Sequence, residues 1–211
     1  MKQRISSRHW GVKRSLLIIF LVLVLDQALK IWVKTHMVLG QSIRMAGDWF
    51  YISFIENNGM AFGMQFGGEY GKLALSLFRI IVVGIMTYYF FRELRANKLH
   101  RGLEISFSLI LAGAIGNIID CMFYGLIFSD SYVQTASLFP PEGGYGTFLH
   151  GLVVDMFYFP LIESTFPNWL PIWGGEHFIF FSPVFNLADA AISTGVGLFI
   201  IYQKHFFKEK N

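Results

Sequence analysis

Four stretches of this chain, residues 15–33, 73–91, 103–119 and 184–202, are apolar over nearly the length a helix needs to cross a bilayer core, about 20 residues. Hydrocarbon offers no water to backbone N–H and C=O groups, so each stretch must close its hydrogen bonds internally, as a helix. The composition agrees: 54% of the residues are apolar and only 15% charged, against roughly a quarter charged in soluble domains. One membrane domain over residues 1–211, built on four spans, is expected. The first stretch follows basic residues as a secretory leader would. It runs on through Asp26, Gln27 and Lys30 without a small-residue cleavage pattern, and so reads as a retained helix.

The basic residues set the expected orientation. Lys2, Arg4, Arg8, Lys13 and Arg14 precede the first span, Arg92, Arg95, Lys98 and Arg101 fill the second link, and Lys204, Lys208 and Lys210 follow the fourth span. The link 121–183 has no Lys or Arg, and the link 35–71 has only Arg44. Basic loops stay cytoplasmic, so both termini are expected inside and both long links outside. The fold class expected is an all-α integral membrane protein with four transmembrane helices, a small extracytoplasmic β-containing region and long aromatic-rich outer insertions. Trp49 to Ile55 is rich in aromatic and β-branched types and predicts a short strand, followed by a turn at Asn57 to Gly63. The segments Ser129 to Thr147 and Ile162 to Ser182 carry Phe, Trp, Tyr and Pro without a basic residue and are expected to form a rim or lid.

This topology puts the ionisable residues at one depth. Asp26 and Lys30 share a face of the first span at i,i+4. Asn117 and Asp120 end the third, and Asn186 and Asp189 begin the fourth, where a helix N-terminus favours a carboxylate. Asp155, in GLVVDMF, lies on the same outer side. An acid near bilayer-depth sequence is costly, about 2.5–3.5 kcal/mol for Asp at a helix centre, and usually faces a protected polar site. Two carboxylates brought together share a proton, one ionised to activate water and the other protonated to assist at a carbonyl. Asp155 and Asp189 are the candidates. Six scattered histidines show no metal-ligand spacing, the single Cys121 excludes an internal disulfide, and no basic stripe with aromatics points to nucleic acid.

Five patterns recur in order: DQALK at 26–30, NNGMAFG at 57–63, GNIID at 116–120, VVD at 153–155 and FNLAD at 185–189. With four spans, this ordered set closely resembles the lipoprotein signal peptidases, the type II signal peptidases of bacteria. The resemblance implies an aspartyl endopeptidase of the bacterial cytoplasmic (inner) membrane, with its site near the outer face. Such an enzyme removes the signal peptide of a lipid-modified prolipoprotein just before the diacylglyceryl cysteine. It implies catalytic Asp155 and Asp189, no metal or organic cofactor, membrane lipids as surroundings and a monomer. By the same resemblance Asn57 and Gly59 orient substrate or close the site. Asn117 and Asp120 buttress it, Asn186 and Ala188 flank the second aspartate, and Asp26 with Lys30 positions the first helix. Two departures stand out. Cys121 occupies the place after GNxxD where the family commonly has Arg, with Arg79 the candidate substitute, and the gaps between Asp120, Asp155 and Asp189 are longer than in typical members.

Taken singly, the residues have plainer readings: Asp189 a helix cap, Asp155 a loop carboxylate, Asp26 and Lys30 an intrahelical pair. The rival function is a small proton- or ion-coupled transporter, since intramembrane Asp, Lys and Asn also mark ion pathways. Against it, the polar residues gather at one depth instead of tracing a path, and no inverted halves are visible. A non-catalytic scaffold leaves the two aspartate patterns without a cause.

Overall fold

A computed structural model describes residues 2–59, 68–180 and 183–208. Met60 to Gly63 of the NNGMAFG pattern therefore fall outside the described residues, as do Phe181 and Ser182 of the second aromatic segment. Among the described residues there are five α-helices: α1 Lys2–His36, α2 Gly68–Arg95, α3 Arg101–Ile119, the single turn α4 Gly125–Ile127, and α5 Leu187–Lys208. Between α3 and α4 the helix widens into one π-helical turn, Asp120–Tyr124. Three stretches, Trp10–His36, Tyr70–Arg95 and Arg101–Ile127, are long and apolar enough to cross a membrane. The protein is thus a multi-pass membrane protein. α5 is not among those three. It begins later than the apolar run predicts, because Val184–Phe185 pairs as a strand before Asn186 caps the helix.

The β structure is larger than the single expected strand. β1 Ser42–Ala46, β2 Phe50–Asn57, β3 Val153–Tyr158 and β6 Val184–Phe185 form one antiparallel sheet in the order β1-β2-β3-β6. β4 Ile162–Thr165 and β5 His177–Phe180 form a separate hairpin. β3 pairs with β2 so that Ile55 stands opposite Asp155 and Asn57 opposite Val153. Successive strand side chains point to opposite faces. Val154 and Met156 fill the core with Val33, Met37, Phe54, Tyr124 and Phe128, which turns Asp155 the other way.

Close helix packing depends on small residues. A Cβ on Gly113 would collide with the Ala188 carbonyl oxygen, and one on Gly116 would stand 2.8 Å from Asp26 Oδ2. Neither position tolerates a side chain, and this is how α3 comes to lie against both α1 and α5. Gly151 has the same role at the π turn, where its N–H donates to the Cys121 carbonyl at 2.9 Å and a Cβ would strike the Asp120 carbonyl.

The first aromatic segment is tied to the end of α1. Leu39 N–H donates to Ser131 O at 2.9 Å, Ala136 N–H donates to Lys34 O at 3.0 Å, and both Ser131 and Ala136 are buried. Lys34 anchors it from below: its buried ammonium pairs with Glu56, donates to Ser131 Oγ at 2.9 Å and lies over the rings of Tyr145, Phe128 and Phe54. A buried charge without such partners would be strongly destabilising. Trp169 and Ile172, in the connection between β4 and β5, stand largely exposed.

Candidate active site

The site is assembled where α1, α3 and α5 meet the inner edge of the sheet. On α1, Asp26 and Lys30 form the expected i,i+4 pair at 2.9 Å, and both side chains are buried. Lys30 also pairs with Asp120 at 2.7 Å and donates to Asn117 Oδ1 at 2.8 Å. One ammonium therefore gathers two carboxylates and an amide from two helices. With its oxygen committed to Lys30, Asn117 is left to donate through Nδ2, to Asp189 Oδ1 at 2.8 Å.

The start of α5 is built by reciprocal capping. Asn186 Oδ1 accepts the Asp189 N–H at 2.9 Å, while the Asn186 N–H donates to Asp189 Oδ2 at 3.4 Å. This is the capping-box geometry, with an acid three residues after the cap. A further first-turn amide, Ala188 N–H, is satisfied from another helix by Asp26 Oδ1 at 2.9 Å. Ala188 is fully buried beside Gly116, so its small side chain is a packing requirement.

The Asn186 side chain, which caps α5 at the Asp189 N–H, also reaches Asp155. Its Nδ2 donates to Asp155 Oδ1 at 2.7 Å and to Asn117 Oδ1 at 3.2 Å. The other Asp155 oxygen accepts from Asn57 Nδ2, and Asn57 Oδ1 in turn accepts the Gly59 N–H. Gly59 has φ +81°, in the left-handed region that favours glycine. Asp155 is 4% exposed, whereas Asp189 is half-buried, so the pair opens on the Asp189 side. Asp155 stands on a strand outside the spanning helices. Burial first, and the charge of Asp189 second, push its carboxyl up to about 7, while Asn186, Lys30 and Asn57 pull the other way.

All ten residues singled out in the sequence, Asp26, Lys30, Asn57, Gly59, Asn117, Asp120, Asp155, Asn186, Ala188 and Asp189, join one connected cluster. Gln27 was missed as a member. Its Nε2 donates to Asp120 Oδ1 at 2.9 Å, to Asp26 Oδ2 at 3.2 Å and to Gly116 O at 3.3 Å, and its Oε1 accepts from Tyr124 OH at 3.1 Å. A polar amide inside an apolar run was the available signal. Among the described residues no three His, Cys, Asp or Glu side chains stand in metal-ligand arrangement.

A profile for signal peptidase (SPase) II matches residues 18–205. The chain belongs to the signal peptidase II family. Among its relatives, the lipoprotein signal peptidase of Porphyromonas gingivalis is 56% identical over 184 residues, 87% of this chain and 80% of that protein. The lipoprotein signal peptidase of Amoebophilus asiaticus is 38% identical over 186 residues, 87% of this chain and 75% of that protein. Two solved structures of bacterial membrane enzymes share the fold. One, at 24% identity, has a TM-score of 0.61 and covers 95% of this chain and 93% of its own; the other, at 27% identity, has 0.59 and covers 91% and 93%. Membership makes the protein a protease, and none of these findings favours a transporter.

Proposed function

We propose that Asp155 and Asp189 are the catalytic dyad of an aspartic endopeptidase that cuts the signal peptide from lipid-modified prolipoproteins, just before the lipidated cysteine. The observation that carries the dyad is Asn186, one buried residue whose side-chain amide donates to the Asp155 carboxyl and accepts the Asp189 backbone N–H. It fixes their relative placement without a cation between them. Asp189 takes the role of base and is held by Asn117 Nδ2 and the Asn186 N–H. Asp155, pushed up to about 7, carries the proton near neutral pH.

Chemistry follows from that division of labour. A water between the acids gives a proton to Asp189 as its oxygen attacks the scissile carbonyl carbon. Asp155 gives its proton to the carbonyl oxygen, leaving a neutral tetrahedral diol. Collapse of the diol returns one hydroxyl proton to Asp155, while Asp189 passes its proton to the departing amide nitrogen. The initial protonation states are restored. Asn57 and Asn186 hold the Asp155 carboxyl in place, and Lys30 with Asp26 and Asp120 supports Asn117 from behind. The names of the relatives supply the substrate class. The lack of Lys and Arg in 121–183 supports a site on the outer face of the cytoplasmic membrane, with α5 as a fourth span and both termini inside.

The test uses the purified full-length protein with a diacylated prolipoprotein. Release of the signal peptide is expected, and Asp155→Asn and Asp189→Asn should each abolish it while leaving the thermal transition in place. Because the acids act as a unit, the double variant should be no worse than either single one. Near-normal turnover by either single variant would remove the dyad.

A further inference from the structure

Helix α2 touches the site through a face that the proposed chemistry leaves unused. Lys72, Ser76 and Arg79 recur at i, i+4 and i+7, one side of a helix. Lys72 Nζ donates to Asn58 Oδ1 at 3.0 Å and to His150 O at 2.7 Å. Ser76 Oγ donates to Leu149 O at 3.2 Å, and the Arg79 guanidinium donates to Gly59 O. This face therefore grips both the turn that leaves β2 and the loop that enters β3. Those two strands carry Asn57 and Asp155.

Arg79 holds the more sensitive of these points. Its guanidinium lies against the Gly59 carbonyl and close enough to Cys121 to act on it electrostatically. The Gly59 N–H is bound by Asn57 Oδ1, which turns Asn57 Nδ2 toward Asp155. A planar guanidinium can satisfy a carbonyl and a second acceptor at once, which a point-charge ammonium does less well. An arginine in a spanning helix is costly unless paired, and its neighbours Phe78 and Ile81 are largely exposed on the apolar surface. Retention of the charge there is explained by what it holds.

We propose that Arg79 is a positioning residue for cleavage, acting through Gly59 and Asn57 to hold the Asp155 carboxyl, with its guanidinium filling from α2 the space beside residue 121. The proposal rests on the Asp155–Asp189 reading.

Its test uses the full-length protein in lipid nanodiscs with a synthetic diacylated prolipopeptide, measuring kcat, KM and the pH profile. Arg79→Leu should lower kcat about tenfold to a hundredfold, as expected for loss of a charged donor to a part-buried acceptor, with KM within about twofold. Arg79→Lys should fall between the two. Loosening Asn57 removes a donor that favours the Asp155 carboxylate, so the alkaline limb should also move to higher pH. Asp189 on α5, Lys30 on α1 and Asn186, the other groups acting on Asp155, are unchanged in this variant. Cys121→Arg added to Arg79→Leu should recover kcat, because a guanidinium at 121 reaches the same space; a purely structural role for Arg79 predicts no such recovery.

If Arg79→Leu loses its thermal transition, Gly59→Ala tests the same link with α2 intact. A Cβ there would collide with the Arg79 guanidinium at a left-handed position, and the same kcat-selective fall is expected. Asp189→Asn serves as reference. Unchanged kcat and pH limb in Arg79→Leu, or in Gly59→Ala, with Asp189→Asn inactive overturns the Arg79 proposal and leaves the dyad standing. Activity in Asp189→Asn overturns the dyad instead.

Discussion

Replacing Asn186 by alanine tests the centre of the arrangement, because that one side chain makes three bonds that alanine cannot. It donates to Asp155 Oδ1 at 2.7 Å and Asn117 Oδ1 at 3.2 Å, and accepts the Asp189 N–H at 2.9 Å. Loss of the cap costs about 1 kcal/mol. Stripping a donor from a buried carboxyl costs about 1–3 kcal/mol more. Asn117 Oδ1 keeps Lys30 at 2.8 Å and adds little. The expected loss of stability is about 2–4 kcal/mol, and the fall in activity should exceed what unfolding explains. A displacement of about 1 Å in a reacting group costs about a hundredfold in rate, so kcat of the folded fraction should drop by about that factor.

The pH profile gives a second readout with a definite sign. Asp155 acts protonated, so activity is lost as pH rises through its value of about 7. Asn186 favours the charged form of Asp155, and its removal should carry the alkaline limb to higher pH. The assay is cleavage of a diacylated fluorogenic peptide between pH 5 and 9, beside thermal unfolding in the same nanodiscs. An Asn186→Ala enzyme with unchanged kcat and an unmoved alkaline limb would refute the bridging role, whatever its melting temperature.

Lys30→Met should destabilise by about 3–5 kcal/mol, since it leaves the buried Asp26 and Asp120 without their shared cation; a loss below about 1 kcal/mol in chemical or thermal unfolding would contradict the central ion triad. Gly151→Ala should prevent stable folding, because the new Cβ meets the Asp120 backbone carbonyl at the π turn, and a normal melting temperature would show that the turn relaxes freely. Asp155→Asn should raise stability, and only at higher pH. The folded-state value of about 7 lies above the ordinary 3.8, so the native state binds the extra proton between them and stability falls as pH rises through that window. The variant's advantage should therefore be absent near pH 3.5 and complete above about pH 7.5, and a pH-independent difference in melting temperature would count against it.

The residues of the site were legible in the sequence because each pays a visible cost: an acid, a lysine or an amide where apolar types prevail. Asn117, Asp120, Asn186 and Asp189 also sit at helix ends, and Asp26 and Lys30 in the second half of α1, at a depth expected from the distribution of Lys and Arg. Other parts carried no such mark. The π turn Asp120–Tyr124 has no local composition signal, since it arises from tertiary contact with Gly151 and not from the preferences of its own residues. Strand order was equally hidden: Val184–Phe185 pairs with β3 across a separate hairpin, a non-local match that two residues cannot announce. Lys34 was readable in principle, lying four residues beyond Lys30, yet its aromatic surroundings come from three distant segments. The segment Ser129–Thr147 is aromatic for the same reason. Its Tyr145 helps enclose Lys34.

The choice of partners separates the proposed dyad from the other buried acids. Four acids among the described residues are buried: Asp26, Glu104, Asp120 and Asp155. The first three each contact a cation, Lys30 for Asp26 and Asp120 and Arg14 for Glu104. A contacting cation favours the charged form of a carboxylate and so opposes proton uptake by it. Asp155 instead receives two side-chain amides, from Asn57 and Asn186. Amides orient a carboxyl in either protonation state without a net charge to pin it, and the half-buried Asp189 is held by the Asn117 side-chain amide and the Asn186 backbone N–H. The Lys30 ammonium is occupied by Asp26 and Asp120, and its hydrogen-bonded link to the dyad runs through Asn117. The cluster thus keeps its cation one residue back from the acids whose proton has to move. A lysine brought into direct contact with Asp155 would hold that carboxyl charged, and the same geometry would lose its general acid.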